Sequence, residues 1–383
     1  MKKMTWLFVL MMVCGALFAQ SSKEIFDAAL VPKAPLVIYA DGTETANNPF
    51  AQNLKKFEAD FQAVLTNGAN KFTGENAKSK EFWESVKGDL KLEDDDIVKW
   101  QLSVAIGGMQ FGAGEPDFGQ LDILLVAELK KALTPEQVKN ALLNADKKCG
   151  DGDAADKADF VVAERNGAKL FSLFVKETDE TAEIPNAFRR LHCGFVGDGK
   201  ILVAGVEKSV YEALKRIENK TAAEKHPYIA RLFNDNEKGF LALGMLPQLQ
   251  NFLSNAATKG ADGDPNKLVA KAFVDADGIS FTTKLGEDKL TISLNMDMAK
   301  SDDAAMLKGQ VWDAMVSPML QQVKPMIIGQ LGGELPLLDT LKCVTEEKRT
   351  SISFDMKEAD VKSIVNAIKA KQAAQAPEQP KAE

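Results

Sequence analysis

"LHCGFVGDGKILVAGVEKSVYEALKRI", residues 191–217, decides the fold, because it holds the chain's nearest match to a named chemistry. Gly194, Gly199 and Lys200 stand at the G-x-x-x-x-G-K spacing of a phosphate-binding loop. That loop works only if a helix begins at the lysine, with a Ser or Thr beside it for Mg²⁺. Here Ile201 follows Lys200, and "ILVAG" reads as a strand. Gly197-Asp198-Gly199 therefore supplies the turn of a tight hairpin. Val210, Leu214 and Ile217 then line one face of a helix. The stretch reads as strand, turn, strand, helix, with no nucleotide and no other cofactor.

The closing stretch, "LKCVTEEKRTSISFDMKEADVKSIVNAI" (341–368), repeats this grammar. Leu191 and Cys193 match Leu341 and Cys343 at one offset, and Val210, Leu214 and Ile217 match Val361, Val365 and Ile368 one residue further on. We read an internal duplication of a β-rich module. The expected fold is α+β, with two related modules, each an antiparallel sheet with helices packed on one face. The modules span 20–222 and 223–371, and an Ala/Gln/Pro tail over 372–383 reads as disordered.

Between these stretches the pattern alternates in the same way. "PLVIYA" (35–40), "IVKWQLSVAI" (97–106) and "LDILLVAEL" (121–129) read as strands, and residues 50–65 and 79–86 as helices. "LTPEQVKNALLNA" is a helix with Thr134 as N-cap, Pro135 at its first position and Gln137 as the capping-box partner. Asn166-Gly167 joins two β-prone runs as a hairpin. In "KAFVDADGISFTTKLGEDKLTISLNM" the pattern gives three strands, with turns at Asp277-Gly278 and Gly286-Glu287-Asp288.

The ends and the charge set the compartment. "MKKMTWLFVLMMVCGALFAQ" has a basic start, an apolar centre and small residues up to Ala19, the build of a secretory signal over 1–19. Cys14 offers a second reading as a lipidated cysteine, but Val13 stands where lipoprotein signals carry Gly, Ala or Ser. No later run is long and apolar enough to be a membrane helix. The net charge is −8, and removing Lys2 and Lys3 with the signal lowers it by two more. Such a chain lacks the basic footprint of a nucleic-acid binder and is repelled by anionic lipid. The expected location is the periplasm or the medium, with envelope anchoring through Cys14 as the alternative.

The chain offers little chemistry beyond this. It has two histidines; His192 and Cys193 are strand neighbours that face opposite ways, and His226 precedes Pro227 as a turn or cap residue. No zinc or serine-nucleophile signature is present. Gly112-x-Gly114 joins two strands and reads as a loop, with Phe111 and Phe118 beside it. Asp262-x-Asp264-x-Asn266 opens like a calcium loop but has Lys267 where Gly is needed and Phe273 where Glu is needed. The other acidic clusters read as solvated turns and helix starts. Cys149, Cys193 and Cys343 remain in the mature chain, and the equivalent positions of Cys193 and Cys343 make them the candidate disulfide if the modules pack symmetrically; buried free thiols are the competing reading.

The candidate binding surface is the Met-rich stretch 315–341, with Met315, Met319, Met326, Ile327, Ile328 and Leu331. Pro318, Pro325 and Gly332-Gly333 interrupt it, and a broken helix buried against the sheet is the alternative. In its alternation of hairpins and helices the mature chain resembles large uncharacterised exported proteins of Gram-negative bacteria, a resemblance that implies no activity and no site residues. The expectation is a non-enzymatic binding or interaction protein for an apolar small molecule or an envelope protein. A scaffold lipoprotein and a hydrolase with a carboxylate site are the alternatives.

Overall fold

A computed structural model describes residues 23–43, 48–55, 76–93, 96–106, 121–149, 158–166, 168–176, 189–235, 237–259, 273–331 and 336–375. The signal segment with Cys14, the Gly112/Gly114 loop, the Asp262 cluster and the chain beyond Gln375 lie outside these residues.

Twelve strands form one antiparallel sheet. They are β1 (Leu36–Asp41), β2 (Ile97–Ile106), β3 (Leu121–Leu129), β4 (Ala158–Arg165), β5 (Ala168–Val175), β6 (Arg190–Val196), β7 (Ile201–Val206), β8 (Gly239–Gly244), β9 (Ala276–Leu285), β10 (Lys289–Met298), β11 (Lys342–Glu346) and β12 (Arg349–Lys357). Their spatial order is β11-β12-β10-β9-β8-β1-β2-β3-β7-β6-β5-β4. The fold is α+β. The two expected sheets meet edge to edge, because β1 pairs with β2 on one side and β8 on the other. Outward from that seam one arm runs β1-β2-β3-β7-β6 and the other β8-β9-β10-β12-β11, the same path, with β5 and β4 added to the first.

The hairpins form where the turn residues allow positive φ. Asn166 takes φ 50°, and Gly197, Asp198 and Gly199 take 57°, 56° and 83°. The near-match to a phosphate loop is thus the β6–β7 turn. Its amides are spent inside it, Gly199 N–H on Val196 O and Lys200 N–H on Gly197 O.

The helices are α1 (Lys23–Ala28), α2 (Pro49–Lys55), α3 (Asn76–Leu90), α4 (Pro135–Cys149), α5 (Glu207–Glu218), α6 (Pro227–Asn234), α7 (Pro247–Lys259), α8 (Ser301–Met306), a π-helical stretch (Leu307–Val316) running into α9 (Ser317–Leu331), and α10 (Glu358–Gln375). The α4 capping box forms as the sequence requires: Gln137 N–H donates to Thr134 Oγ1 at 3.2 Å, and Thr134 N–H to Gln137 Oε1 at 2.8 Å. Helices lie on both faces of the first arm, where the pattern led us to expect one. Ile25 and Phe26 (α1), Val210 and Leu214 (α5), and Ile229 and Leu232 (α6) pack over Val37, Leu124, Val126 and Val203. Val138 and Leu142 (α4) pack over Ala127, Phe171, Phe195 and Leu202 on the other face.

Asp277-Gly278 is not a turn. β9 continues through it with a bulge at Asp277, so the described stretch holds two strands and not three. Gly278 is there because the ring of Tyr228 lies against its backbone: a Cβ at 278 would sit 2.3 Å from Tyr228 Cδ1.

Candidate binding surface

Strand register draws one line across all twelve strands: Cys343, Ile352, Leu294, Phe281, Leu241, Ile38, Leu102, Leu125, Ala204, Cys193, Phe171, Val162. Paired residues share a face, so this is a single apolar row on one side of the sheet. Under α4 it is core, with Phe171 at 5% exposure, and farther in Leu125 is 2% exposed. Past the seam it opens. Leu241 is 42% exposed and Phe281 51%, and Ile38, Leu294 and Ile352 around them are half-buried. Half-buried Leu243 and Ile279 flank the row on one side, Ile292 and Phe354 on the other. At the Met298 end α8 closes this face: Ala304 is buried with Met245, Met296 and Met298, and Thr350 Oγ1 donates to Ala304 O at 3.0 Å.

The opposite face of β9, β10 and β12 is polar and covered. Ser280, Thr282 and Asn295 are buried there. Tyr228 OH donates to Ser280 Oγ at 2.9 Å, Asn295 Nδ2 to Thr282 Oγ1 at 3.0 Å, and Ser351 Oγ to Asn295 Oδ1 at 2.8 Å. These satisfied hydroxyls and amide remove the cost of burial. The second arm therefore buries its polar face and exposes its apolar one.

The Met-rich stretch is helical throughout α9 and is not broken at its prolines: Pro325 lies inside the helix. Nor is it buried. Met319 and Met326 are each 57% exposed, and Met315 and Ile328 are half-buried. Ile327 and Leu331 lie on the same helix, with side chains outside the description. The π-helical stretch before it passes Cys343, whose thiol lies near Lys308 and Asp313; burial pushes that thiol up to about 11.

The candidate disulfide does not form. Cys193 and Cys343 lie on β6 and β11, nine strands apart, so at about 4.8 Å per strand they are on the order of 40 Å from each other along the sheet. A disulfide needs Cα atoms within about 7 Å. Cys193 and Cys343 fall on the same face but on opposite sides of the seam, each in the fifth strand out from it. No disulfide joins Cys149, Cys193 and Cys343 to one another.

Two polar clusters were not legible as sites. His192 is 2% exposed; Ser172 Oγ lies 2.8 Å from its Nδ1 and Tyr211 OH 3.4 Å. Its Nε2 makes no hydrogen bond and stands 4.0 Å from Glu207 Oε1. Burial lowers the imidazole pKa, with Glu207 opposing this. The cross-strand pairing that joins Ser172 to His192 is fixed by the β5–β6 register, which spacing alone does not give. The second cluster is an ion-pair clamp. Asp297, 1% exposed, takes Arg349 Nε at 2.7 Å and Nη2 at 3.0 Å, with Arg231 Nη1 at 3.5 Å. Arg349 ties β12 to β10 and to Asp235 after α6.

No protein-family model matches the chain, and neither does any curated protein. It is similar to solved structures of TP0453, a spirochete protein, in crystal forms I, III and IV. Identities are 8%, 9% and 10%, with 90%, 89% and 89% of this chain and 96%, 97% and 96% of those chains covered, at TM-scores of 0.35, 0.38 and 0.37. The likeness is a weak one at the level of the fold. Among the described residues no helix is long and apolar enough to cross a membrane.

Proposed function

We propose that this is an exported, non-enzymatic interaction protein, and that it holds a protein partner on the exposed apolar face of β8, β9, β10 and β12. The two arms are read as copies of one β-rich unit that have diverged in what covers them. One observation carries the proposal: the apolar row that α4 covers at Phe171 in the first arm continues to Phe281 and Leu241, which are 51% and 42% exposed. Exposed apolar rows of this kind mark interaction sites. The face is a sheet surface and not a hollow, whereas small apolar molecules need an enclosing pocket. Two surface cavities lie elsewhere, of about 570 and 230 Å³, and charged residues such as Arg165, Lys215, Asp122 and Lys208 line them. Met315, Met319 and Met326, set in the helical run that begins over this face, are read as the adaptable border of the same surface.

The test is native mass spectrometry of the protein drawn from its host's envelope, with Phe281→Asp beside the parent. At 51% exposure of roughly 200 Å², Phe281 gives up about 100 Å² to a partner, worth about 2.5 kcal/mol or about sixtyfold in Kd. The parent is expected to carry a second chain at fixed stoichiometry and the variant to lose it with unchanged folding. A partner that survives Phe281→Asp, or a parent that carries only a small molecule, refutes the reading.

A further inference from the structure

The sheet has two edges, and they are built differently. β11 is five residues long with Lys342 and Glu346 at its ends, and the π-helical stretch packs against it. β4 is eight residues, "ADFVVAER", with Val161 43% and Val162 38% exposed. Open edges are normally blunted by short length, proline or inward charge, and β4 uses none of these over its centre.

Its free backbone groups can be assigned. Arg165 and Ala168 are the last pair of the β4–β5 hairpin, with a two-residue connection between them, so Arg165, Ala163, Val161 and Asp159 direct their N–H and C=O to β5. Phe160, Val162 and Glu164 direct theirs outward. The Phe160 carbonyl bears this out, accepting from Lys139 Nζ of α4 at 3.3 Å. A second strand adds through these residues and Ala158. For two identical strands, a twofold axis can pass through Val161 as a non-hydrogen-bonded pair or through Val162 as a hydrogen-bonded one, and either overlaps nearly the whole strand. Only the axis at Val162 sets unlike charges opposite each other. That register sets Phe160 opposite Glu164, Val161 opposite Ala163 and Asp159 opposite Arg165, each pair occurring twice. The charged ends are then complementary. Asp159 already meets Lys176 at 3.2 Å, but both are exposed, and such a pair is weak enough to share.

We propose that β4 is a self-pairing seam, at which a second copy of this chain adds antiparallel about a twofold axis at Val162 and extends the sheet. Edge-to-edge addition of this kind draws its affinity from main-chain bonds and its register from side-chain pairs.

The full mature chain is to be weighed by sedimentation equilibrium over rising concentration, where a reversible species of twice the chain mass is expected. Asp159→Arg and Arg165→Asp should each weaken it by about tenfold or more, and the double variant should restore it. Circular dichroism checks that each still folds, since Arg165 also lies 3.7 Å over the Tyr211 ring. Val162→Cys should cross-link two chains under oxidation, because the central pair sits about 5.5 Å apart between Cα atoms, while Val161→Cys should not. A chain that stays single up to millimolar concentration overturns the proposal. So does a dimer that ignores both charge variants, or one that Phe281→Asp abolishes.

Discussion

Gly278→Ala is a small change with a large expected effect. The added Cβ lands 2.3 Å from Tyr228 Cδ1, 2.5 Å from Cγ and 2.6 Å from Cε1. Real Cβ contacts stay beyond 3.0 Å, so ring or strand has to move. Neither moves freely. Tyr228 is 1% exposed, its hydroxyl is held by Ser280 at 2.9 Å, and β9 is paired on both sides. Overpacking of this kind costs about 1–3 kcal/mol, and a displaced hydroxyl adds about 1 kcal/mol, so the variant should lose about 2–4 kcal/mol. Tyr228→Ala alone should lose about 3–5 kcal/mol from the cavity it leaves. The informative protein is the double variant. With the ring gone, a methyl group on residue 278 has room, and the second substitution should add almost nothing. Urea unfolding followed by circular dichroism gives all four values, and the coupling should be about 2 kcal/mol or more. A Gly278→Ala protein within about 0.5 kcal/mol of the parent would refute the reasoning, as would costs that simply add.

Two further outcomes follow from buried titratable groups. Burial lowers the His192 pKa below its ordinary 6.5, so the unfolded chain takes up a proton that the folded chain refuses. This contribution to stability is complete above about pH 6.5 and is lost as pH falls below it; denaturant titration between pH 7.5 and 5.5 should show that slope, and His192→Gln should flatten it. An unchanged slope in His192→Gln assigns it to other groups. For the cysteines, reduction should leave the mass and melting temperature of the mature chain unchanged, and the Cys343 thiol, pushed up to about 11, should react slowly with maleimide at neutral pH until the chain is unfolded. A mass change on reduction would contradict this.

Where the fold was legible, the signal was local chemistry. Thr134 and Gln137 announce the start of α4, and Asn166-Gly167 and Gly197-Asp198-Gly199 announce hairpins, because these turns and caps are satisfied within a few residues. The readings that failed depended on distant partners. Asp277-Gly278 has the composition of a turn, yet its glycine answers to a ring fifty residues away. Pro325 has the composition of a helix break, yet an exposed helix absorbs it next to a π-helical stretch. The Cys193–Cys343 pairing assumed that equivalent positions meet. In a single sheet that grows outward from a central seam they diverge.

The binding surface was hidden for a related reason. "GISFTTKL" alternates Ile279 and Phe281 with Ser280 and Thr282, which fixes two unlike faces for β9 but not which of them is covered. Apolar transfer favours covering Phe281, at about 2–3 kcal/mol for a fully buried large side chain. The chain does the reverse because α6 is already committed to the other face. Its Tyr228, Ile229 and Leu232 complete a core over Val37 of the first arm and Phe240 and Ala242 of β8 across the seam. Ser280, Thr282 and Asn295 can accept that cover at little cost only because each finds a hydrogen-bond partner there. The exposed apolar face is thus the consequence of one helix serving two arms at once, and no window of sequence short enough to hold β9 contains α6. That same dependence gives Phe281 its diagnostic value. A substitution to Asp there should leave the α6 face intact and remove only what the outer face contributes.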